Sequence, residues 1–591
     1  MTRSKSDLHS SFITICLICF LLSYSEGVTQ PTTPDREFRA SWVTTTWGLD
    51  WPDPNHSPAR QREELKEIFD QHVKQGMNAV VFQVVGRGDA VYPSERLPWS
   101  YILTGEPGQN PGWDPLEYAV EEAHKRGLEL HAWFNVFAVS YNSFADSPLN
   151  SDQPNVRYTH PEWVSSVTDD LDNEHLWLNP GIPEAREWQV QNVMEIVENY
   201  DVDAVHFDRI RYYTGGYEED QELFDENNPE GFIDIDDWRR YNVTEFIREA
   251  SERIYDIKPW VKIGAAVSSH YNQESSNGWP ASYGYSEVFA DSRHWGEMGY
   301  ADYLSPMNYW DMVNPPYFDY ITRDWAAVSG DDYMVFMGTG PYKQSVLNEL
   351  PGQIDVVREE ALEGQLHYRY SNIAGGGDSY GGRYTDQVLV PSAPARSMDA
   401  PEAVEQVQAE PTGDSLQISW RAPGNTGNSE SRLKFAVYCG NCSGASFPKI
   451  LSITGQTDVA IPLHHWQETD EAAIEVTAVS RNYIESEPVH QTVVLTSRDV
   501  EELTNKFRLH QNYPNPFNPV TTITYDLSKP SDISLMVYNT AGQRVAVLEE
   551  SHKPAGRHSI TFDGGELASG VYYYRLQTAG GVRTRMMTLL K

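Results

Sequence analysis

The alternation of short apolar runs with helical segments across residues 36 to 390 constrains the fold more than any other feature of this chain. The apolar runs have the length of strands, and the segments between them repeat apolar residues at helical spacing. Such alternation predicts parallel β/α units. Eight strands over this length fit a (β/α)8 barrel of the TIM type with enlarged loops. An open doubly wound sheet is the alternative, but no glycine-rich phosphate loop follows the first strand.

The pattern assigns each predicted element to a stretch of the sequence. Predicted strands cover Phe38–Thr44, Ala79–Val85, Leu128–Phe134, Ala204–Phe207, Val261–Val267, Tyr303–Pro306, Met334–Gly338 and Gly364–Tyr368. Predicted helices cover Gln61–Gln75, Pro115–Arg126, Pro183–Tyr200, Trp238–Ile257, Ser286–Met298 and Gln353–Leu362.

Prolines mark a boundary after the predicted barrel, at Pro391, Pro394 and Pro401. The pattern then changes to short β runs that predict two small all-β sandwiches. The predicted domains are a barrel over residues 36–392, a first sandwich over 400–498 and a second over 507–591.

The N-terminus has the pattern of an export signal. Arg3 and Lys5 precede an apolar run from Phe12 to Leu22, and small residues follow it. We therefore predict a signal peptide over residues 1–27 and an exported mature chain. The run is about half of the roughly 20 residues that a membrane span requires. No later segment reaches that length, so we expect no transmembrane span.

Net charge limits the partners that this chain can bind. It has 45 basic and 85 acidic residues, a formal net charge of −40. Nucleic-acid binding requires a basic surface, so we expect no nucleic-acid partner.

Apart from two cysteines in the signal segment, the chain has Cys439 and Cys442, which suit a disulfide in an oxidising compartment. A zinc site would need further ligands at metal spacing, and none is present, so we expect no metal and no cofactor.

The strand "VDAVHFDRIRYY" ends on charged and aromatic residues. Side chains of a barrel strand alternate between the lumen and the helix layer. Val205 and Phe207 suit the helix layer, so His206 and Asp208 point inward. Asp208 then lies at the C-terminal mouth, where barrel enzymes keep their active sites.

Other predicted strands also end on polar and aromatic residues. The inward-facing or strand-end residues are Gln83, Arg87, Asp89, Glu129, His131, Trp133, Asn135, Asn308, Tyr309, Trp310, Asp311, Gln365, His367 and Arg369. A purely structural core would place branched aliphatic residues there. Fifteen of seventeen tryptophans lie between Trp42 and Trp325, and their flat rings are suited to stacking on sugars. The pattern favours a carbohydrate site, although many of these tryptophans belong to the core.

Several motifs carry a resemblance to a known family. They are "EFRASWVTTTWGLDWP", "FQVVGRGDAVYPS", "LHAWFN", "LNPGIPEAR", "VDAVHFDRIRY", "DDWRRYNVTEFI" and "YLSPMNYW". Residues 36–390 resemble the glycosyl hydrolase-like 10 family. The resemblance implies a (β/α)8 barrel that hydrolyses glycosidic bonds in a polysaccharide, with peptidoglycan glycan strands as one substrate type. The family motif often has a second acidic residue directly after the position of Asp208, where this chain has Arg209.

Two further resemblances concern the C-terminal part. "DSLQISWRAP" and "AIEVTAVSRNYIESEP" resemble a fibronectin type III domain with Trp420 as its core aromatic residue. "NYPNPFNP" and "LASGVYYY" resemble the C-terminal sorting domain of type IX secretion cargo, over residues 507–591. This implies the type IX secretion machinery as a partner, export through the periplasm, and a secreted or cell-surface location.

Glycoside hydrolysis normally needs two carboxyl groups, one ionised and one protonated. Arg209 and Arg211 favour the ionised form of Asp208, so we predict that Asp208 is the nucleophile or base. Asp89, Asp311 and Asp50 are candidates for the acid. The predicted catalytic residues are Asp208, Asp311 and Asp89, and the predicted substrate-binding residues are Asp50, Gln83, His131, Trp133, Asn135, Asn179, His206, Arg209, Asn308, Tyr309 and Trp310.

Three alternatives stay open at this point. Asp208 is an ion-pair partner only, the barrel is a non-catalytic glycan binder at the cell surface, or the same scaffold carries a lyase or deacetylase.

Overall fold

The computed structural model of the chain describes residues 34–141, 154–168, 173–213, 216–279, 283–374, 379–394, 398–424, 433–442, 449–466, 469–495, 507–527, 530–540, 543–578 and 581–591. The predicted signal peptide, residues 1–27, lies outside the described residues. The chain divides into two compact units, with the division between residues 396 and 397.

The first unit contains a closed barrel of eight parallel strands, which confirms the predicted fold class. Its strands are β1 (Phe38–Val43), β2 (Ala79–Val85), β3 (Glu129–Asn135), β7 (Ala204–Asp208), β8 (Lys262–Val267), β9 (Tyr303–Pro306), β10 (Met334–Thr339) and β11 (Gly364–His367). Around the barrel they follow the order β1, β2, β3, β7, β8, β9, β10 and β11, and β11 closes onto β1. All the carboxyl ends therefore open at one mouth.

Helices surround this barrel. The described helices are α1 (Pro58–Lys74), α2 (Pro115–Lys125), α3 (Val156–Thr159), α4 (Pro183–Asn199), α5 (Asp220–Glu226), α6 (Ile235–Ile257), α7 (Gly284–Glu287), α8 (Ser292–Glu297), α9 (Phe318–Ala326), α10 (Gln344–Glu359) and α11 (Tyr370–Ile373). Capping residues fix where they begin. Asp114 accepts hydrogen bonds from the backbone of Leu116 and Glu117, and Pro115 supplies the first helical residue of α2.

The core between barrel and helices is built from alternate strand residues. Val205 and Phe207 of β7 are fully buried in this layer, beside Phe246 of α6. His206 points the other way, into the lumen, where it contacts Trp42. The observed alternation is the one that the sequence predicts for this strand.

A small antiparallel sheet interrupts the β/α pattern between β3 and α4. Its strands are β4 (Ala138–Tyr141), β5 (Val164–Thr168) and β6 (Glu174–Leu178), in the order β4, β6, β5. The sequence analysis did not predict this sheet. It also missed α9, and it began α10 at Gln353, whereas α10 begins at Gln344 and contains Pro351.

The second unit is all-β. Its first part pairs a three-stranded sheet with a four-stranded sheet, in the orders β12-β13-β16 and β15-β14-β17-β18. Those strands are β12 (Glu405–Thr412), β13 (Ser415–Arg421), β14 (Lys434–Cys439), β15 (Lys449–Thr454), β16 (Asp458–Pro462), β17 (Glu471–Val479) and β18 (Val489–Val494). Trp420 lies in its core, and Cys439 and Cys442 form the expected disulfide.

The last part repeats the three-plus-four arrangement, in the orders β19-β20-β23 and β22-β21-β24-β25. Its strands are β19 (Arg508–Leu509), β20 (Val520–Leu527), β21 (Ser531–Asn539), β22 (Arg544–Lys553), β23 (Gly556–Asp563), β24 (Gly570–Thr578) and β25 (Gly581–Leu589). Within the described residues, no helix has the length and apolarity needed to cross a bilayer.

Candidate active site at the barrel mouth

Asp208 is the last residue of β7, so its carboxylate lies at the C-terminal mouth. Its side chain is 13% exposed, and the guanidinium of Arg211 lies 3.6 Å from Oδ1. The backbone N–H of Arg209 donates to the same oxygen at 2.6 Å. Arg209 has a φ of 54°, in the left-handed region that non-glycine residues rarely adopt. Burial lowers the pKa of Arg211 to about 10, with the nearby charge of Arg209 acting in the same direction.

An aromatic wall of Trp42, Trp133, Tyr309, Tyr342 and Tyr368 lines the lumen and the mouth. Trp42 is buried and makes edge contacts with Trp133, Tyr309 and Tyr368, with ring centroids 5.9 to 6.5 Å apart. Tyr309 stacks on Tyr368, and Tyr342 meets both rings edge-on. Tyr342 is 49% exposed, so the wall extends from the barrel interior into solvent.

A chain of hydrogen bonds runs down the barrel below this wall. An indole N–H can only donate, so Trp42 donates to Nε2 of His206 at 3.1 Å. Nδ1 of His206 carries the proton and donates to the Tyr303 hydroxyl at 3.1 Å. Tyr303 then donates to Nδ1 of His131 at 2.8 Å, and Nε2 of His131 donates to Glu129 at 2.9 Å. His206 is neutral in this arrangement, because its Nε2 accepts the indole proton.

Lys262 completes the chain at its lower end, with Nζ 2.5 Å from the Glu129 carboxylate. All the members of the chain are buried. Burial lowers the pKa of His206 to about 3, and the negative charge of Asp208 opposes that shift only in part. His206 and His131 therefore serve a fixed network in the lumen, and His131 lies well below the mouth.

Asn135 connects the end of β7 with the end of β2. Its Cα pairs with that of Asp208, and its amide nitrogen donates to the Gly86 carbonyl at 2.8 Å. Its amide oxygen accepts from the Trp133 indole at 2.9 Å.

Asp89 follows in the loop after β2, half-buried, and accepts from the backbone N–H of Arg87 at 3.1 Å. Asp89 and Asp208 thus lie on either side of β3.

Gln83 and Asp50 hold a backbone turn after β1. The Gln83 side-chain oxygen accepts from the N–H of Thr45 at 3.0 Å and of Thr46 at 2.8 Å. Asp50 is fully buried and accepts from the N–H of Thr44 and from the Arg369 guanidinium, each at 2.8 Å. The Gln83 side-chain oxygen and both Asp50 carboxylate oxygens are thus engaged within the protein.

Four predicted site residues follow β9, namely Asn308, Tyr309, Trp310 and Asp311. Tyr309 belongs to the aromatic wall, and the Lys343 ammonium lies 4.4 Å from the centre of the Trp310 ring. Asp311 accepts from the N–H groups of Val313 and Asn314. Slight burial raises the pKa of Asp311, but those hydrogen bonds outweigh it and the net shift is downward. A lowered pKa does not suit a general acid.

Two predicted residues lie away from the mouth. Asn179 donates to Asp220 at 3.0 Å, and its side-chain oxygen accepts from the N–H of Gly181, in a buried position before α4. Asn308 is buried and donates to the carbonyl of Phe318 at the start of α9. The structure therefore brings together at or near the mouth Asp208, Arg209, Asn135, Trp133, His206, Tyr309, Trp310, Asp89, Gln83, Asp50 and Asp311, which occupy different strand ends.

The sequence analysis did not select Trp42, Tyr303, Tyr368 or Trp47 as site residues. Alternation along β1 and β9 places Trp42 and Tyr303 on the inward face, which was an available signal. The part of the chain that the structure describes contains no convergence of three or more His, Cys, Asp or Glu side chains suited to a metal ion.

The family model described as "Glycosyl hydrolase-like 10" matches residues 37–339. A second model, "Secretion system C-terminal sorting domain", matches residues 511–588. The two matches fall on the barrel and on the last three-plus-four pair of sheets.

Curated relatives carry related names. The chain is 33% identical over 431 residues to Glycosyl hydrolase YngK of Bacillus subtilis (strain 168), covering 68% of this chain and 83% of that protein. It is 34% identical over 312 residues to Glycosyl hydrolase DigH of Escherichia coli (strain K12), covering 49% of this chain and 70% of that protein. Among solved structures, the endo-1,4-beta-mannanase from Rhizomucor miehei overlaps with a TM-score of 0.38 at 13% identity, over 58% of this chain and 89% of that one.

Proposed function

Because this chain belongs to the glycosyl hydrolase-like 10 family, we propose that it is a glycoside hydrolase that cleaves glycosidic bonds of a polysaccharide at the barrel mouth. The sorting domain directs the chain to the cell exterior, where such a polymer is accessible. Peptidoglycan glycan strands are the substrate that we propose to test first. The position of Asp208 carries the proposal, because it is an ion-paired carboxylate at the carboxyl end of a barrel strand.

We assign Asp208 the role of the ionised carboxylate. Arg211 and the N–H of Arg209 are positioned to stabilise negative charge on it. The neighbouring aromatic wall and Trp310 offer faces for sugar rings, and Asn135 fixes the geometry between β2 and β7.

Asp89 is our candidate for the second carboxyl group. One strand, β3, separates β2 from β7, so the two backbones are about 10 Å apart, two strand spacings of roughly 4.8 Å each. Inverting glycosidases hold their carboxyl groups about 6.5–9.5 Å apart, with room for a water molecule. Asp50 and Asp311 fit less well, because Asp50 is buried in an ion pair with Arg369 and the pKa of Asp311 is lowered by its hydrogen bonds.

A non-catalytic glycan binder is the second candidate. The observation that favours it is Arg209, which occupies the place where the family motif often has a second acidic residue.

The three-plus-four sheet pair that contains Trp420 supports a fibronectin type III-like domain over residues 400–498 as a spacer between barrel and sorting domain.

A reducing-end assay tests the proposal. Purified protein is incubated with peptidoglycan, with peptidoglycan glycan strands and with α- and β-glucans, and new reducing ends are counted. We expect release from one of these polymers and loss of release in Asp89→Asn, with Asp311→Asn retaining it. Binding without release would favour the second candidate, and products with unsaturated or deacetylated ends would redirect the assignment to a lyase or deacetylase.

A further inference from the structure

Trp47 differs from every other tryptophan of the chain. It is 50% exposed, whereas the others, all of which lie in the part of the chain that the structure describes, are buried or half-buried. It lies in the turn after β1, which ends at Val43, and so stands at the mouth. An exposed indole in this position needs a physical reason, because aromatic side chains of this size normally bury most of their surface.

A rigid turn presents this ring. Three consecutive backbone N–H groups, of Thr44, Thr45 and Thr46, donate to the side chains of Asp50 and Gln83. Both acceptors are buried. The backbone just before Trp47 is thereby held by Gln83 of β2 and by Asp50 of the same turn.

The residue at the apex of the turn has an unusual backbone conformation. Trp47 has φ 58° and ψ 13°, a left-handed conformation that residues with a Cβ rarely adopt. Such conformations persist where surrounding contacts over-determine them, and they concentrate at functional positions. The Arg87 guanidinium lies over the ring with its carbon 5.4 Å from the centroid, which restrains the indole from one direction.

We propose that Trp47 is a stacking platform for one pyranose ring of a glycan bound across the mouth, with Gln83 and Asp50 as positioning residues for it. The inference rests on the proposed function. The indole offers a flat apolar face to the C–H face of the sugar, while the sugar hydroxyls stay in water. Because Arg87 and Asp89 share the loop after β2, this subsite lies on the Asp89 side of Asp208.

Binding is measured by isothermal titration calorimetry in an Asp208→Asn background, so that turnover does not consume the ligand. The probes are soluble peptidoglycan glycan strands and the hexamer of β-1,4-linked N-acetylglucosamine. We expect Trp47→Ala to weaken binding about tenfold, the effect of losing one stacking contact. Trp47→Tyr should recover most of the binding affinity that Trp47→Ala loses. Met298→Ala is the matched control, because Met298 is 53% exposed before β9 at the opposite end of the barrel, and it should bind as the parent does.

The outcomes separate the two proposals. If the parent binds a probe and Trp47→Ala binds it equally well, the platform is wrong and the proposed function stands. If the parent with Trp47 intact binds neither probe, the proposed peptidoglycan substrate is contradicted, and the platform with it.

A double-mutant cycle tests the positioning role of Gln83. Gln83→Met removes the acceptor for Thr45 and Thr46 and leaves the indole in place. If Gln83 acts through Trp47, Gln83→Met weakens glycan binding in the parent. In the Trp47→Ala background the same substitution then causes no further loss of affinity. Additive losses would show that Gln83 contacts the ligand independently, and unchanged binding in Gln83→Met would show that the turn does not need it.

Discussion

At the scale of single residues, the environment of each polar side chain at the mouth decides its role. Asp208 combines partial exposure with a guanidinium 3.6 Å from its carboxylate, so a ligand at the mouth can reach it. Gln83 and Asp50 face the same region but accept hydrogen bonds from a turn. Alternation in the sequence gives the face on which a side chain lies. It does not give the partner, which depends on residues from distant strands.

Tyr303 links the two lumen histidines, so its hydroxyl is the centre of the hydrogen-bond chain. We expect Tyr303→Phe to lower the free energy of unfolding of the barrel by roughly 1–3 kcal/mol, because two buried imidazole nitrogens lose their partner. Urea unfolding followed by tryptophan fluorescence measures this. Tyr333→Phe is the control, since its hydroxyl makes only a long 3.4 Å bond to Val328 outside the lumen. Equal losses in the two variants would contradict the role of the chain.

At the scale of elements, apolar runs predicted the eight barrel strands to within one or two residues, because a parallel strand buried on both faces has a strong sequence signal. The antiparallel sheet β4–β6 carries no such signal. The predicted start of α10, Gln353, lies after Pro351, whereas the helix begins at Gln344 and continues through the proline. Trp47 was missed because its backbone conformation depends on Gln83, from a different strand.

Gly264 of β8 provides the space for Tyr303 of the neighbouring strand. A Cβ at this glycine would lie 1.9 Å from Cζ of Tyr303. We therefore expect Gly264→Ala to displace the phenol and to lower barrel stability by roughly 1–3 kcal/mol, as overpacking does in other cores. Thermal unfolding measures the change. Gly330→Ala, whose Cβ would meet only the Asp332 carboxylate at 3.9 Å, should leave the transition unchanged. A Gly264→Ala barrel as stable as the parent would show that Tyr303 moves freely.

At the scale of the whole molecule, the C-terminal sorting domain matches an exported chain, and it lies in a different compact unit from the barrel. We expect deletion of residues 507–591 to stop delivery to the medium or cell surface in a host with a type IX system, and to leave the purified protein able to release reducing ends. Immunoblots of cell fractions measure delivery. Surface delivery of the truncated chain at the level of the full chain would contradict the assignment.

The barrel contains buried neutral histidines, so its stability depends on pH. Burial lowers the pKa of His72 to about 4. In the unfolded chain the histidine pKa is near 6.5, so as the pH falls the unfolded chain takes up a proton before the folded chain does. The contribution of neutral His72 to the free energy of unfolding is therefore fully present above about pH 6.5 and is lost as the pH falls toward 4. Between pH 7 and pH 5 this loss is roughly 2 kcal/mol.

The matched comparison is His72→Gln, which removes that titration at a buried position of α1. Fluorescence reports the barrel, because fifteen of seventeen tryptophans lie between Trp42 and Trp325. We expect the free energy of unfolding of the variant to fall less between pH 7 and pH 5 than that of the parent. Parallel pH dependences would mean that His72 is not buried as a neutral group.

The measurement that tests the central claim most directly compares turnover and binding in Asp208→Asn. Asn has the same shape as Asp but cannot carry negative charge, so only the chemistry at this position changes. Release of reducing ends from the substrate polymer should fall at least about a thousandfold, while calorimetric affinity for the same glycan stays within a few fold of the parent. Undiminished release in Asp208→Asn would contradict the assignment of the active site to the end of β7.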